Sequence, residues 1–152
     1  MEEETYKLHY PTVLSSFLTG AFGIINWGLY PFTKGQHMGE DRTAALGSPI
    51  FAVLPGVVEV SEWSLVGNYG RRVIILHNIL WFTFRTLYAH LKDLNVKAGD
   101  VVQGGTQIGT MGGNLADQFR GASNGTHLHF EVYLQEEPEG IKSIKTARGY
   151  CV

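Results

Sequence analysis

Short apolar runs rich in β-branched residues, separated by glycine and proline turns, constrain the fold of this chain more than any other feature. From Gly47 onward these runs follow one another closely, and no helical periodicity intervenes between them. Glycine accounts for 19 of the 152 residues and supplies the tight turns that such an arrangement needs. The pattern predicts a mainly β fold, a compact antiparallel β-sheet domain with few short helices. The clearest runs are 49–53, 57–61, 72–77, 86–91 and 127–134.

The last of these runs carries the sharpest motif, His127-Leu128-His129. Side chains alternate between the two faces of a strand, so the two histidines share one face, and Glu131 lies on it as well. The apolar residues of the run occupy the opposite face, which we expect to lie in the core. The strand rise places the two imidazoles about 6 to 7 Å apart. Imidazole is the commonest metal ligand, so this face suits a metal site; a pair of half-exposed strand histidines is the alternative.

A second motif combines His37 with Asp41, four residues apart. Both can reach one ion from a helical turn or from a loop that closes back on itself, and Gly39 between them favours the loop. Imidazole and carboxylate together form a ligand set that zinc accepts in catalytic sites, where three protein ligands leave one position for water. Glu40 is an alternative to Asp41 as the carboxylate ligand.

A third motif is Tyr88-Ala89-His90. If the strand continues through it, alternation places Tyr88 and His90 on a polar face with Thr86, and Leu87, Ala89 and Leu91 point inward. A merely exposed strand histidine is the alternative for His90. Of the other histidines, we expect a capping or structural role for His77 and a surface position for His9.

Composition excludes several classes of function. The formal net charge is −2 and no run of lysine or arginine occurs, so we expect no nucleic-acid partner. No apolar run approaches the ~18 residues of a membrane span. Cys151 is the single cysteine, which excludes an intrachain disulfide and a cysteine-rich zinc site. Any metal must therefore rest on histidine and carboxylate ligands.

The three motifs occur in one order: H-x-G-x-D at 37–41, Y-x-H at 88–90 and H-L-H-F-E at 127–131. This ordered set resembles that of the lysostaphin/LytM-type zinc peptidases, which cut peptide bonds in bacterial peptidoglycan. The glycine turns within 46–58 and 96–109 are also similar to those of that family. The resemblance covers roughly residues 36–133.

The resemblance implies the family fold, an antiparallel β domain of the duplicated hybrid motif kind. It implies that His37, Asp41 and His129 bind Zn²⁺. It also implies that His90 and His127 stay off the metal and act on the reacting water and the tetrahedral intermediate. Spacing alone leaves open which histidine of H-x-H binds the metal, because both can do so. We further hypothesise that Glu131 orients one of the two unligated imidazoles.

The activity that the resemblance implies is that of a zinc metalloendopeptidase acting on peptidoglycan peptides. A non-catalytic relative that binds the wall or activates other hydrolases is the alternative. We expect a monomer that works at the cell wall, in the periplasm or outside the cell. The acidic N-terminus does not read as a signal peptide, so delivery as a phage or prophage lysin is one route that we consider.

Two segments are less easily interpreted. Residues 1–34 carry few signals, and we expect them to form an arm that packs on a catalytic domain spanning 35–152. The segment 115–126 is polar, contains two glycines and is longer than the usual connection into H-L-H. We expect it to be a loop at the rim of a cleft, where it affects substrate preference more than catalysis.

Overall fold

The computed structural model describes residues 6–23, 37–64, 66–80 and 82–133. Its elements are ten strands and one short 3-10 turn, and the described residues contain no α-helix. This confirms the prediction of a mainly antiparallel β fold. In chain order the elements are β1 (Phe17–Gly20), β2 (Glu40–Thr43), β3 (Pro49–Phe51), β4 (Gly56–Ser64), the 3-10 turn (Val66–Asn68), β5 (Gly70–Ile79), β6 (Phe82–Ala89), β7 (Leu91–Leu94), β8 (Val101–Val102), β9 (Gln107–Met111) and β10 (Leu128–Tyr133).

The strands form two sheets in which every recorded pairing is antiparallel. The larger sheet has seven strands in the order β1-β2-β10-β6-β5-β4-β8, and the smaller has three in the order β3-β9-β7. β10, the last described strand, therefore lies between β2 and β6. This insertion brings three segments that are far apart in sequence side by side, and each carries one of the sequence motifs.

The main core lies between the two sheets. Ile50 from β3 and Ile108 from β9 meet Val73 and Tyr88 from the larger sheet, and all four side chains are fully buried. Leu128 of β10 belongs to the same core, which confirms that the apolar face of this strand points inward. Burial of such side chains stabilises a fold by roughly 1.5 to 3 kcal/mol each.

The opposite face of the larger sheet is also covered at its centre. A second cluster there consists of Met38, Tyr69, Ile74, Leu87, Ala89 and Tyr133. Strand β5 is therefore buried on both faces, which explains its uninterrupted apolar run from Val73 to Ile75. The catalytic motifs predicted from the sequence lie on this second face, where the surrounding cluster limits their contact with water.

The N-terminal segment contributes to the larger sheet. β1 forms its edge and pairs with β2, with Gly20 opposite Asp41. Ahead of β1, the His9 N–H donates to the Val53 carbonyl at 2.8 Å and ties the segment to the body. The predicted boundary at residue 34 falls outside the described residues, so the division of the chain into two parts stays a prediction.

In the described part of the chain, no helix is long and apolar enough to cross a membrane.

Candidate active site

Strand register places Asp41 beside His129. In the antiparallel pairing of β2 with β10 these two residues lie directly opposite each other, so their side chains share one face. The Nδ1 atom of His129 lies 2.7 Å from Asp41 Oδ1. Glu40 lies opposite Phe130, on the other face, where its carboxylate pairs with Arg42. The carboxylate that reaches the site is therefore that of Asp41.

His37 enters the site from the loop that precedes β2. Its Nδ1–H donates to the Ala21 carbonyl at 3.0 Å, which turns Nε2 toward Asp41 Oδ2 at 3.1 Å. Gly39 makes this loop possible, because a Cβ at that position would lie 2.8 Å from His129 Nε2 and 2.4 Å from the Phe130 carbonyl oxygen. The glycine in H-x-G-x-D is thus required by close approach of the loop to β10.

The donor atoms of His37, Asp41 and His129 all lie within 4.8 Å of one another. His37 Nε2 is 3.2 Å from His129 Nδ1 and 3.1 Å from Asp41 Oδ2. In a tetrahedral zinc site with ligand distances of about 2.0–2.1 Å, neighbouring ligand atoms lie about 3.3 Å apart. Two imidazole nitrogens and a carboxylate oxygen at this spacing fit zinc in both chemistry and size.

His90 reaches the same site by leaving the strand. It follows β6 with a φ of 60°, and its backbone N–H donates to the Tyr69 carbonyl at 2.9 Å. Its ring centroid lies 4.7 Å from that of His127 and 5.9 Å from that of His129. The prediction that His90 shares a face with Tyr88 is wrong, because the left-handed backbone at His90 ends the alternation and turns its side chain over.

Tyr88 itself lies in the main core rather than on a polar face. It is fully buried, and its hydroxyl is 3.1 Å from Thr86 Oγ1 and accepts from the Val53 N–H at 3.0 Å. Leu87 and Ala89, predicted to point into that core, instead lie on the face that carries His129 and Glu131. The alternation along β6 is therefore correct, but both of its faces are buried.

His127 completes the group just before β10 begins. Its Nε2 lies 3.8 Å from Asp41 Oδ1, the oxygen that also contacts His129. The prediction that His127 and His129 share a face is confirmed. Its Nδ1–H donates to the Gly125 carbonyl at 2.8 Å. The structure thus brings all five residues predicted from the sequence into one place.

Glu131 contacts the imidazole of His129, whereas we hypothesised that it orients His90 or His127. Its Oε1 accepts from His129 Nε2–H at 2.7 Å, and it makes this contact because the two residues are two positions apart on one strand face. Glu131 is buried, and the Tyr69 hydroxyl donates to the same oxygen at 2.9 Å. The hypothesis that Glu131 orients an unligated histidine is therefore wrong, since it orients His129.

All four imidazoles are held in the same way. One ring nitrogen of each donates to a protein oxygen that can only accept, which fixes where the hydrogen lies. When the ring is neutral, the other nitrogen then carries the lone pair, on the opposite edge of the ring. These acceptors were missed by the sequence analysis because three of them are backbone carbonyls, which no side-chain pattern marks. The acceptors are Ala21 O for His37, Arg120 O for His90, Gly125 O for His127 and Glu131 Oε1 for His129.

The electrostatics of the site favour a cation beside Asp41. Burial raises the pKa of Asp41, but the close side-chain contacts with the imidazoles of His129 and His37 outweigh it and hold the pKa well below its usual value. Burial lowers the pKa of His129, yet hydrogen bonds to Asp41 and Glu131 reverse this effect and raise it to about 10. Two carboxylates around one imidazole thus stabilise positive charge, which a proton or a divalent metal ion can supply.

His90 behaves in the opposite way. Its burial, together with the charges of His127 and His129, lowers its pKa to about 3. His90 is therefore neutral at physiological pH, with the Nδ1 hydrogen on the Arg120 carbonyl. The neutral ring carries its lone pair at Nε2, which can accept a hydrogen bond from a water or substrate group.

Comparison with protein families and with curated proteins agrees with the family resemblance of the sequence motifs. The family model described as Peptidase family M23 matches residues 35–140. The peptidoglycan DD-endopeptidase ShyC of Vibrio cholerae is 42% identical over 110 residues, which are 70% of this chain. The chain spans about a quarter of the length of the curated relatives that it matches, and 22% of ShyC.

Solved structures agree with this result. The catalytic domain of lysostaphin from Staphylococcus simulans superposes with a TM-score of 0.67 at 29% identity, covering 81% of this chain and 84% of that domain. A zinc-containing peptidase from Vibrio cholerae gives a TM-score of 0.67 at 29% identity, covering 85% of this chain and 37% of that one. The fold is thus that of the lysostaphin catalytic domain, as the sequence resemblance implied.

Proposed function

The chain belongs to peptidase family M23, and on this premise we propose that it is a zinc-dependent endopeptidase that hydrolyses peptide bonds in bacterial peptidoglycan. One observation carries the proposal: a compact His-Asp-His donor set has two further imidazoles beside it, and each imidazole is anchored by one ring nitrogen. The names of the relatives support the substrate class, since ShyC is a peptidoglycan DD-endopeptidase.

We assign the metal to His37 Nε2, His129 Nδ1 and the carboxylate of Asp41. The hydrogen bonds to Ala21 and Glu131 support this assignment, because in a neutral ring they take up the single hydrogen and leave the lone pair on His37 Nε2 and His129 Nδ1. Zinc bound there would supply Lewis-acid polarisation of the scissile carbonyl and would make water acidic enough to react at neutral pH. Three protein ligands leave a position open for substrate or water.

We assign proton transfer to His90 and His127. Their ring centroids lie 4.7 Å apart with the rings tilted by 52°, and each ring donates Nδ1–H to a backbone carbonyl. The Nε2 atoms are then left with lone pairs for the proton of the attacking water. A protonated imidazole afterwards donates to the leaving amine or to the developing oxyanion.

We also propose where and in what form the protein works. The proposed substrate class supports a place of action at the cell wall, extracellular or periplasmic, and delivery as a phage or prophage lysin is part of this proposal. We propose a monomer, with residues 1–34 as an arm on a catalytic domain formed by 35–152. The family match, which begins at residue 35, supports this division.

Digestion of purified peptidoglycan tests the proposal. We expect soluble muropeptides that carry a cleaved peptide bond, identified by mass spectrometry, with loss of activity on chelation and recovery on addition of zinc. His129→Ala removes a donor and is expected to abolish cleavage, whereas His9→Ala, outside the site, is the matched control and retains it. Products with an intact peptide and a cut glycan, or activity that resists complete chelation, would contradict the proposal.

A further inference from the structure

The connection between β9 and β10, residues 112–127, touches both histidines that we place off the metal. The Arg120 carbonyl accepts from His90 Nδ1–H at 2.7 Å, and the Gly125 carbonyl accepts from His127 Nδ1–H at 2.8 Å. Building on the proposed function, we infer that this connection, here called the histidine loop, is a positioning element that sets the tautomer of both proton-transfer histidines, with Arg120 and Ser123 as the residues that hold it in shape.

The Arg120 side chain stabilises the loop through hydrogen bonds to the loop's own backbone. Its Nε–H donates to the Ser123 carbonyl at 3.0 Å, and its Nη1 donates to the carbonyls of Leu115 and Asp117 at 3.2 and 3.1 Å. One guanidinium thus satisfies three backbone carbonyls of the same loop. Because the carbonyl of Arg120 itself accepts from His90, any movement of this residue moves the acceptor of His90 directly.

Ser123 holds the end of the loop that carries His127. Only 3% of its surface is exposed, and its hydroxyl lies 2.7 Å from the carbonyls of both Gly113 and Gly125. Its Oγ also lies 3.2 Å from His127 Nδ1. Ser123 therefore fixes the Gly125 carbonyl relative to the start of the loop, and this carbonyl is the main acceptor for His127.

Backbone packing anchors the loop to the body of the domain. Gly121 has a φ of 72°, and a Cβ there would lie 2.1 Å from the Asn68 carbonyl oxygen. The Ala122 N–H donates to this same carbonyl at 2.8 Å. The adjacent Tyr69 carbonyl accepts from the backbone N–H of His90. A single backbone segment, 68–69, thus holds both the histidine loop and the main chain of His90.

These contacts determine which ring nitrogen of His90 and of His127 carries the hydrogen, in addition to where each ring lies. Since a carbonyl oxygen only accepts, both histidines must carry their hydrogen on Nδ1 and present an unprotonated Nε2. Without these acceptors a neutral imidazole in water populates the Nε2–H form as well, which cannot accept a proton at that atom. The loop therefore selects the form of each histidine that proton transfer requires.

The test is the ring-nitrogen tautomer of each histidine in the zinc-loaded protein, read from long-range ¹H–¹⁵N correlations at pH 8. We expect His90 and His127 both to be in the Nδ1–H form in the wild type. Arg120→Gln is expected to mix the tautomers of His90, and Ser123→Ala those of His127. In each variant kcat should fall about 10- to 100-fold, with zinc stoichiometry and KM unchanged, as for other groups that orient a functional histidine.

The matched control is Arg85→Gln, which removes a bidentate pair with Glu59 far from the loop. It is expected to leave both tautomers and kcat unchanged. An Nε2–H form of either histidine in the wild type would overturn the inference, as would unaltered tautomers in both loop variants. The wild-type spectrum tests the inference even if one of the variants fails to fold. If the tautomers agree but no peptidoglycan is cleaved, the proposed function fails and the positioning role stands.

Discussion

Replacing Glu131 by glutamine should weaken zinc binding while leaving the fold intact. Glu131 is 2% exposed and accepts from His129 Nε2–H at 2.7 Å, so its carboxylate raises the electron density that His129 offers at Nδ1. The glutamine side chain has the same length, and its carbonyl oxygen can still accept from His129 and from Tyr69. The substitution therefore removes the charge and keeps the geometry.

The size of the effect follows from the kind of hydrogen bond that is lost. A hydrogen bond to a charged group contributes about 1.5 to 3 kcal/mol, and a neutral one about 0.5 to 1.5 kcal/mol. The difference of about 1 to 2 kcal/mol corresponds to a zinc Kd roughly 5- to 30-fold higher. Tyr69→Phe removes the other donor to Glu131 Oε1, which lies 2.9 Å away, and is expected to have a smaller effect of the same sign.

Competition between the protein and a chromogenic zinc chelator at pH 7.5 measures this Kd. Thermal unfolding of the metal-free forms serves as the control, and Glu131→Gln should shift the zinc affinity well beyond any change in that stability. A zinc Kd within twofold of the wild type, in a folded Glu131→Gln variant, would refute the reasoning that the buried carboxylate strengthens His129 as a ligand.

Three further predictions use other parts of the structure. Gly39→Ala should abolish zinc binding measured by metal analysis, because its Cβ would lie 2.4 Å from the Phe130 carbonyl oxygen; normal metal content would contradict this. Asp41→Asn should lose zinc-dependent cleavage while Glu40→Gln retains it, and equal activities in a muropeptide assay would show that the carboxylates are misassigned. Burial lowers the pKa of His77 below 6.5, so the unfolded chain takes up protons first as the pH falls. The contribution of His77 to the free energy of unfolding, measured with urea, should thus be fully present above about pH 6.5 and decline below it, and His77→Gln should remove this part of the pH dependence.

The fold class was predictable because it rests on local patterns, whereas the five site residues were named from the order of three motifs and the family that this order resembles. Period-two alternation fixed the face shared by His127 and His129, and glycine turns marked the short strands. The pairing of β10 between β2 and β6 then placed Asp41 opposite His129. That pairing is a non-local property, so the residue pattern alone left the choice between Asp41 and Glu40 open, and only the family resemblance favoured Asp41.

Other features lay beyond sequence reasoning for identifiable reasons. Alternation failed at His90 because a single residue with φ of 60° reversed its side chain, and a histidine gives little warning of such a conformation. Tyr69, just before β5, reaches Glu131 of β10, a contact that depends on strand order. The backbone acceptors of the imidazoles carry no residue-type signature at all.

The central claim is that zinc is held by His37, Asp41 and His129, with His90 and His127 beside it. Anomalous diffraction at the zinc edge from crystals of the zinc-loaded protein tests this directly. The account predicts one strong peak bonded to His37 Nε2, His129 Nδ1 and the Asp41 carboxylate, with no bond to either remaining histidine. A peak bonded to His127 in place of His129, or no peak among these residues, would contradict it.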